Sequence, residues 1–453
     1  MFDVRASNKS ILKVSIDPPP RKGKRMTSKW RTSLIAATAI AAIVTPLTIT
    51  TAQAAPIEIP MWTHNGGNAT ELADITKTVT DFNASQKTYK VTVKAFPQIN
   101  YNDAIVAAAA ANRLPCILDT DAPVVPAWAY AGYLSPLTVN QSITKNIQSS
   151  AKGVYNGKLY SVGFYDAAIG LFAKKSVLAD LGLRTPTINS PWTLAEFNDA
   201  LAKAKASGKF EYPISLGTGW DGEWYPYGFS PLLQSFGGDL INRKDYKSAE
   251  GVLNGAKAVA WGNWFQDLFA KGYAPKKETA DQRDNGFLTN KIAFQWNGGW
   301  GGKAAFEKLG KDFIVLPPPN LGTKPYIGGG SWQWAVSSTC KNKAGANAWL
   351  TFALQDKYMT KIADDLLNLP VTPAAAKASK FFGPGSDLGI FQQLSAKFAL
   401  VRPVTPAYPV IAKIYETATK NIINGADVQK ELDSAVDQIN KNLKDNYYYQ
   451  KAK

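Results

Sequence analysis

One histidine, two cysteines and four methionines in 453 residues leave little material for metal or nucleophile chemistry. With His64 alone no multi-histidine zinc site can be assembled, and two cysteines are too few for a cysteine-rich one. A Ser-His-Asp triad could draw only on His64, and no Gly-x-Ser-x-Gly elbow accompanies it. Enzyme readings are thereby left mainly with carboxylates, and neither metal nor cofactor is implied. The cysteines, Cys116 and Cys340, also exclude a disulfide scaffold, because about 400 residues bury a core of their own. Whether these two pair or stay as buried thiols is open at this level.

Long apolar runs are missing as well. The one that stands out covers residues 34–44, too short to span a bilayer. Arg21, Lys22, Lys24, Arg25, Lys29 and Arg31 precede it, and Ala52-Gln53-Ala54 follows. That order reads as an export signal over residues 1–54, with Met26 as an alternative start. No cysteine sits near the cleavage point, so the expectation is a periplasmic chain without a lipid anchor.

Clustered charge is scarce too. The formal net charge is +16, but residues 1–54 hold nine Lys/Arg and two Asp/Glu, leaving 42 against 33, a net +9. These cations are scattered rather than drawn into a stripe, which argues against nucleic-acid binding.

What the chain does have is tryptophan beside glycine. Trp296-Asn297-Gly298-Gly299-Trp300 and Gly328-Gly329-Gly330-Ser331-Trp332-Gln333-Trp334 are two such clusters. The loop from Gly217 to Tyr225 is a third, carrying Trp220, Asp221, Glu223 and Trp224. Glycine lets backbone approach a ligand, and an indole offers a flat apolar face with one donor at its edge. A sugar ring, apolar on its C–H faces and hydroxylated at its rim, suits that pair. The competing reading is core packing, and Trp334 is expected to turn away from Trp332 into the core.

Residues 57–62 read as a first strand, residues 70–83 as an amphipathic helix, residues 89–96 as an alternating strand and residues 101–112 as an alanine-rich helix. Another strand begins at Cys116 and ends in Asp119 and Asp121. This rhythm predicts an α/β fold with mainly parallel sheets, whose ligands gather at the carboxyl ends of strands. Asn156-Gly157-Lys158 reads as a hairpin turn, and Thr193 with Glu196 as a capping box. Pro317-Pro318-Pro319 and Leu369-Pro370-Val371-Thr372-Pro373 read as extended breaks.

In this order and spacing the segments resemble the extracellular solute-binding proteins of ABC importers, specifically the maltose-binding-protein-like carbohydrate group. The resemblance rests on residues 113–137, on GKLYSVGFYDAAIGLFAKK, on SPWTLAEFNDAL, on FQWNGGW and YIGGGSWQWAVS, on LPVTP and on VRPVTPAYPVI. One departure is Cys116, where the family commonly has aspartate. The resemblance implies a two-lobed periplasmic-binding-protein fold, type II-like, with a hinge and an interlobe cleft. Lobe one would hold residues 55–165 and 322–370, and lobe two residues 166–321 and 371–453.

Carried over by position, the resemblance places Trp62, His64 and Asn65 at the first strand end, Asp121 at the third, and Asp166 at the first crossing. Trp220, Trp224 and Trp300 would come from lobe two, and Gly329, Ser331 and Trp332 from lobe one. Arg402 would reach in from the C-terminal helices. The implied partners are a small carbohydrate and the membrane permease, with no nucleic acid and the chain monomeric. A secreted glycoside hydrolase is the rival, with Asp119/Asp121 or Asp221/Glu223 as carboxylate pairs. Within the binding-protein reading, a polyol, a sugar phosphate or a peptide is an alternative ligand.

Overall fold

The computed structural model describes residues 55–383, 385–386 and 388–450. The export signal expected over residues 1–54 lies outside them. No helix among the described residues is long and apolar enough to cross a membrane.

The first sheet grows from the amphipathic pattern of the opening segment. In strand Ile57–Thr63 the alternate residues Ile59, Met61 and Thr63 are buried. Helix Ala69–Ser85 follows, capped by the Asn68 side chain, and buries Ile75, Val79 and Phe82. Strands Tyr89–Ala95, Ile57–Thr63 and Ile117–Asp121 run parallel side by side. Strand Trp332–Ser337 then adds antiparallel to Ile117–Asp121, and Lys158–Gly163 and Lys152–Tyr155 complete the edge. The last two form the expected hairpin, with Asn156 at φ 48° and Gly157 at φ 71° in its turn.

The second sheet has the order Phe313–Leu316, Ile169–Lys174, Ile292–Gly298, Tyr212–Ser215, and only its last pair is parallel. Both sheets are thus mixed, which corrects the expectation of mainly parallel ones. Helical crossovers give parallel neighbours, but hairpins and strands returning from the other sheet enter antiparallel. The capping box at Thr193 and Glu196 forms as read.

Each sheet has its own core. Ile59, Met61, Ile117, Trp334, Val336 and Trp349 belong to the first, and Ile169, Phe172, Phe265, Phe294, Tyr408 and Tyr415 to the second. Trp334 is core as expected, its ring 4.4 Å from that of Phe164 and nearly parallel to it. The reason differs from the expected turning away. Residues two apart on a strand share a face, so depth separates Trp334 from Trp332, which stands at the strand's end.

Cys116 and Cys340 form a disulfide, with Cα atoms 4.4 Å apart. It ties Ile117–Asp121 to Trp332–Ser337 at the end of the pair opposite Asp121 and Trp332. Two segments running between the sheets meet as an antiparallel bridge. The Asp166 amide donates to the Leu369 carbonyl at 2.8 Å, and the Leu369 amide returns the bond at 2.7 Å.

Candidate functional site

The site is built outward from Asp121, the last residue of its strand and the register partner of Trp332. Arg402 grips this carboxylate with both terminal nitrogens, each at 3.0 Å. The same guanidinium donates to Glu223 Oε1 at 2.5 Å and to the Gly330 carbonyl at 3.2 Å. The Tyr408 hydroxyl also donates to Glu223 Oε1. Arg402 therefore joins the end of the first sheet to the loop that carries Trp220 and Trp224, and it lies 4.9 Å from the centre of the Tyr227 ring. Burial opposes its charge, but Asp121 and Glu223 hold the guanidinium protonated and push its pKa up. Glu223 is pushed up to about 7, by burial first and by Asp121, while Arg402 and Tyr408 restrain the rise.

Beyond Glu223 the indoles form a wall. Trp220 and Trp224 meet edge to face at 4.6 Å, and Trp300 lies 6.4 and 6.2 Å from them. Trp300 is 36 % exposed, so it has a ring face to offer. Trp224 is tied down by its Nε1 donating to the Leu216 carbonyl at 3.0 Å. Glu278 holds the start of the loop by accepting from the Leu216 and Gly217 amides at 2.9 and 3.0 Å. Trp296 belongs to the core, its Nε1 donating to the Gly228 carbonyl.

On the first-sheet side, Trp332 stacks flat on His64, ring centres 3.5 Å apart and planes 2° from parallel. His64 is clamped between buried carboxylates, Asp119 at Nδ1 and Glu71 at 3.6 Å from Nε2. Burial alone would lower the imidazole's pKa, but Asp119 and Glu71 carry it above its ordinary value. Burial in turn raises both carboxyls, against the pull of His64. With both nitrogens and one face engaged, His64 backs Trp332.

The remaining expected residues are placed variously. Trp62 turns against Phe96 at 4.7 Å, with the Lys94 ammonium 5.0 Å from its ring centre. Asn65 accepts from the Thr63 hydroxyl at 2.6 Å, and its Nδ2 is buried without a partner. Asp166 is wholly engaged at the crossing: Oδ2 accepts from Gln148 and Ser150, and Oδ1 from the Ala167 amide. Gly329 pairs in a short ladder with Val401, and the Ser331 carbonyl accepts from the Ala122 amide. Asp121, Trp220, Trp224, Trp300 and Arg402 come together, with Trp332 and His64 adjoining through Asp121. Tyr227, Tyr408, Glu71 and Glu278 were not among the expected site residues; Tyr408 lies in the VRPVTPAYPVI segment that carries the resemblance, and no spacing or motif marks the other three. Glu223 was read only as one of a hydrolase pair. Its raised pKa has no sequence signal, and its companion Asp221 is exposed and bonded to Lys420.

Comparison with known proteins supplies the context. The model of bacterial extracellular solute-binding proteins matches residues 77–383. The maltodextrin-binding protein MdxE of Bacillus subtilis (strain 168) is similar, 24% identical over 307 residues, 64% of this chain and 69% of that protein. Among solved structures, the cyclic alpha-maltosyl-1,6-maltose binding protein of Arthrobacter globiformis superposes with a TM-score of 0.69 at 22% identity, over 86% of this chain and 100% of that one. The GacH receptor of Streptomyces glaucescens, solved unliganded and with acarbose, gives 0.70 at 22% identity, over 86% and 98%. These likenesses give the two-lobed fold.

Proposed function

The chain belongs to the bacterial extracellular solute-binding proteins, and from that premise we propose that its solute is a sugar, delivered to the permease of an ABC importer. The observation that carries this reading is the joining of an indole wall to a charged hydrogen-bonding cluster through one side chain, Arg402. Indoles cover the C–H faces of a sugar, while carboxylate and guanidinium pairs satisfy its hydroxyls. The relatives' named ligands, maltodextrin, cyclic maltosyl-maltose and acarbose, point the same way.

In this proposal the lobes close on the ligand about the Asp166–Leu369 bridge, and closure signals the loaded state to the permease. The division of the lobes proposed here is the expected one with residues 322–329 moved to lobe two. The Thr323 amide bonds the Ser235 carbonyl there, and Gly328 lies against Tyr227. Trp220, Trp224, Trp300, Trp332, Asp121 and Arg402 would touch the sugar. His64 and Asp166 would support from behind, and Trp62, Asn65, Gly329 and Ser331 would shape the rim. The proposed protein is a periplasmic monomer, exported by a cleaved signal and without catalytic turnover.

Calorimetry and thermal shift against mono- and oligosaccharides, with product analysis, test this. Binding with stabilisation and an unchanged sugar supports the receptor reading. Hydrolysis of any sugar refutes it in favour of the Glu223 carboxyl as an acid.

A further inference from the structure

The carboxylates around the cleft differ in what their oxygens already do. Both oxygens of Asp166 are engaged at the crossing, and both oxygens of Asp121 hold Arg402. Asp119 has one oxygen on His64 and one without a partner, but it is fully buried beneath the strand end. Glu223 is different. Its Oε1 accepts from Arg402 and Tyr408, while its Oε2 has no hydrogen-bond partner among the described residues. Its side chain is 27 % exposed, against 9 % for Asp121. Among these four, Glu223 alone combines an oxygen free to accept with access from outside.

Its surroundings fix its orientation. The Arg402 and Tyr408 bonds leave Oε2 as the outward atom, and Trp220 and Trp224 flank Glu223 on the same loop. Two carboxylates, Asp121 and Glu223, share one guanidinium. Above about pH 7, where Glu223 is ionised, the cluster therefore keeps a negative excess that a ligand would meet on the Glu223 side.

We propose that Glu223 is a specificity-determining residue of the sugar site, whose Oε2 accepts from a ligand hydroxyl or ammonium and turns away sugars bearing a carboxylate there. The assignment rests on the sugar reading and deepens it. A carboxylate rewards a donor with a strong charge-assisted bond, and it penalises an anion by both repulsion and an unmet acceptor. Discrimination of this kind needs a repulsive element, and Glu223 is placed to be one.

The test is calorimetric titration of the chain and of Glu223→Gln. Maltotriose, cellotriose and mannotriose serve as neutral probes, a guanidinylated glucosamine trisaccharide, fully charged at the pH used, as the cationic one and trigalacturonate as the anionic one. Near pH 8 the parent should bind the anionic probe at least about tenfold more weakly than its best neutral probe, and the cationic one no more weakly than it. Glu223→Gln should shrink the cationic-to-anionic spread at least about fivefold, with the melting temperature of the variant reporting that it folds. An unchanged spread, or trigalacturonate as the tightest probe, overturns the assignment while leaving the sugar reading standing. If the parent binds none of the probes, the sugar reading fails and this assignment fails with it.

Discussion

Removing Arg402 tests how the two sides of the site are held together. In Arg402→Met the stem's volume is kept, but Asp121 loses two hydrogen bonds and Glu223 loses one. Asp121, buried, and Glu223, part-buried, are then left without their cation. Breaking a buried pair from one side costs about 3–5 kcal/mol, most of it the desolvated charge left behind. Unfolding entropy of about 2.1 cal/mol/K per residue over roughly 400 residues turns that into a fall in Tm of about 4–6 °C.

The pH dependence gives a second handle. Glu223 stands at about 7 against an ordinary 4.5, chiefly through burial. Between those values the folded chain keeps a proton that the unfolded chain has released, so stability from this group falls as pH rises. Arg402 limits that rise, and without it the window extends to higher pH. The deficit of Arg402→Met should therefore grow from about pH 6 to about pH 8.5 in urea melts. Adding Glu223→Gln should recover part of the loss at the higher pH. A deficit under about 1 kcal/mol, or one of equal size at both pH values, would refute the account of Arg402 as the shared counter-ion.

Four further outcomes are expected. Trp300→Ala should weaken the cognate sugar at least about tenfold while leaving Tm within about 2 °C, since the residue is 36 % exposed and that open face is the proposed ligand contact; calorimetry and a thermal melt read both. His64→Gln leaves Asp119 and Glu71 without their shared cation, so a loss of about 2–4 kcal/mol and altered tryptophan fluorescence from Trp332 should appear. Gly217→Ala combines a φ of 75° with a Cβ 2.8 Å from both Trp220 and Trp224. It should destabilise by about 1–2 kcal/mol and weaken sugar binding, measured by melt and titration. Reducing Cys116–Cys340 reopens a separation of 224 residues; on the chain-entropy estimate this costs on the order of 5 kcal/mol, and melts with and without reductant should differ by several degrees.

Most of the framework was legible because it is written locally. The period of Leu72, Ile75, Val79 and Phe82 gives the first helix, and the alternation of residues 89–96 gives the adjacent strand. Asn156-Gly157 gives the hairpin, and Thr193 with Glu196 gives the helix start. Sheet direction was misread because it depends on where a strand returns from, which no window of sequence contains. The charged centre was half legible. Asp121 and Arg402 were each singled out, but they are 281 residues apart, and Glu223 reaches the same guanidinium from 179 residues away. A pairing with no fixed spacing leaves no pattern to read, and neither does a pKa that burial sets. The disulfide was undecided for the same reason.

The tryptophan–glycine pairing was noticed correctly and only partly understood. Glycine was taken as room for a ligand. In the fold the room is taken first by the indoles themselves. A Cβ on Gly298 would lie 2.0 Å from the Trp300 ring, and one on Gly217 would strike Trp220 and Trp224 together. Gly228 lies under Trp224 in the same way, and Gly328 under Tyr227. Each glycine lets a ring lie flat against backbone, which fixes the ring's tilt without a rotamer-rich neighbour. A platform held this way loses little conformational freedom when a sugar lands on it, so less of the binding energy goes into ordering the site. On the proposed reading the motif serves recognition indirectly: the glycines orient the indoles, and the indoles would meet the ligand.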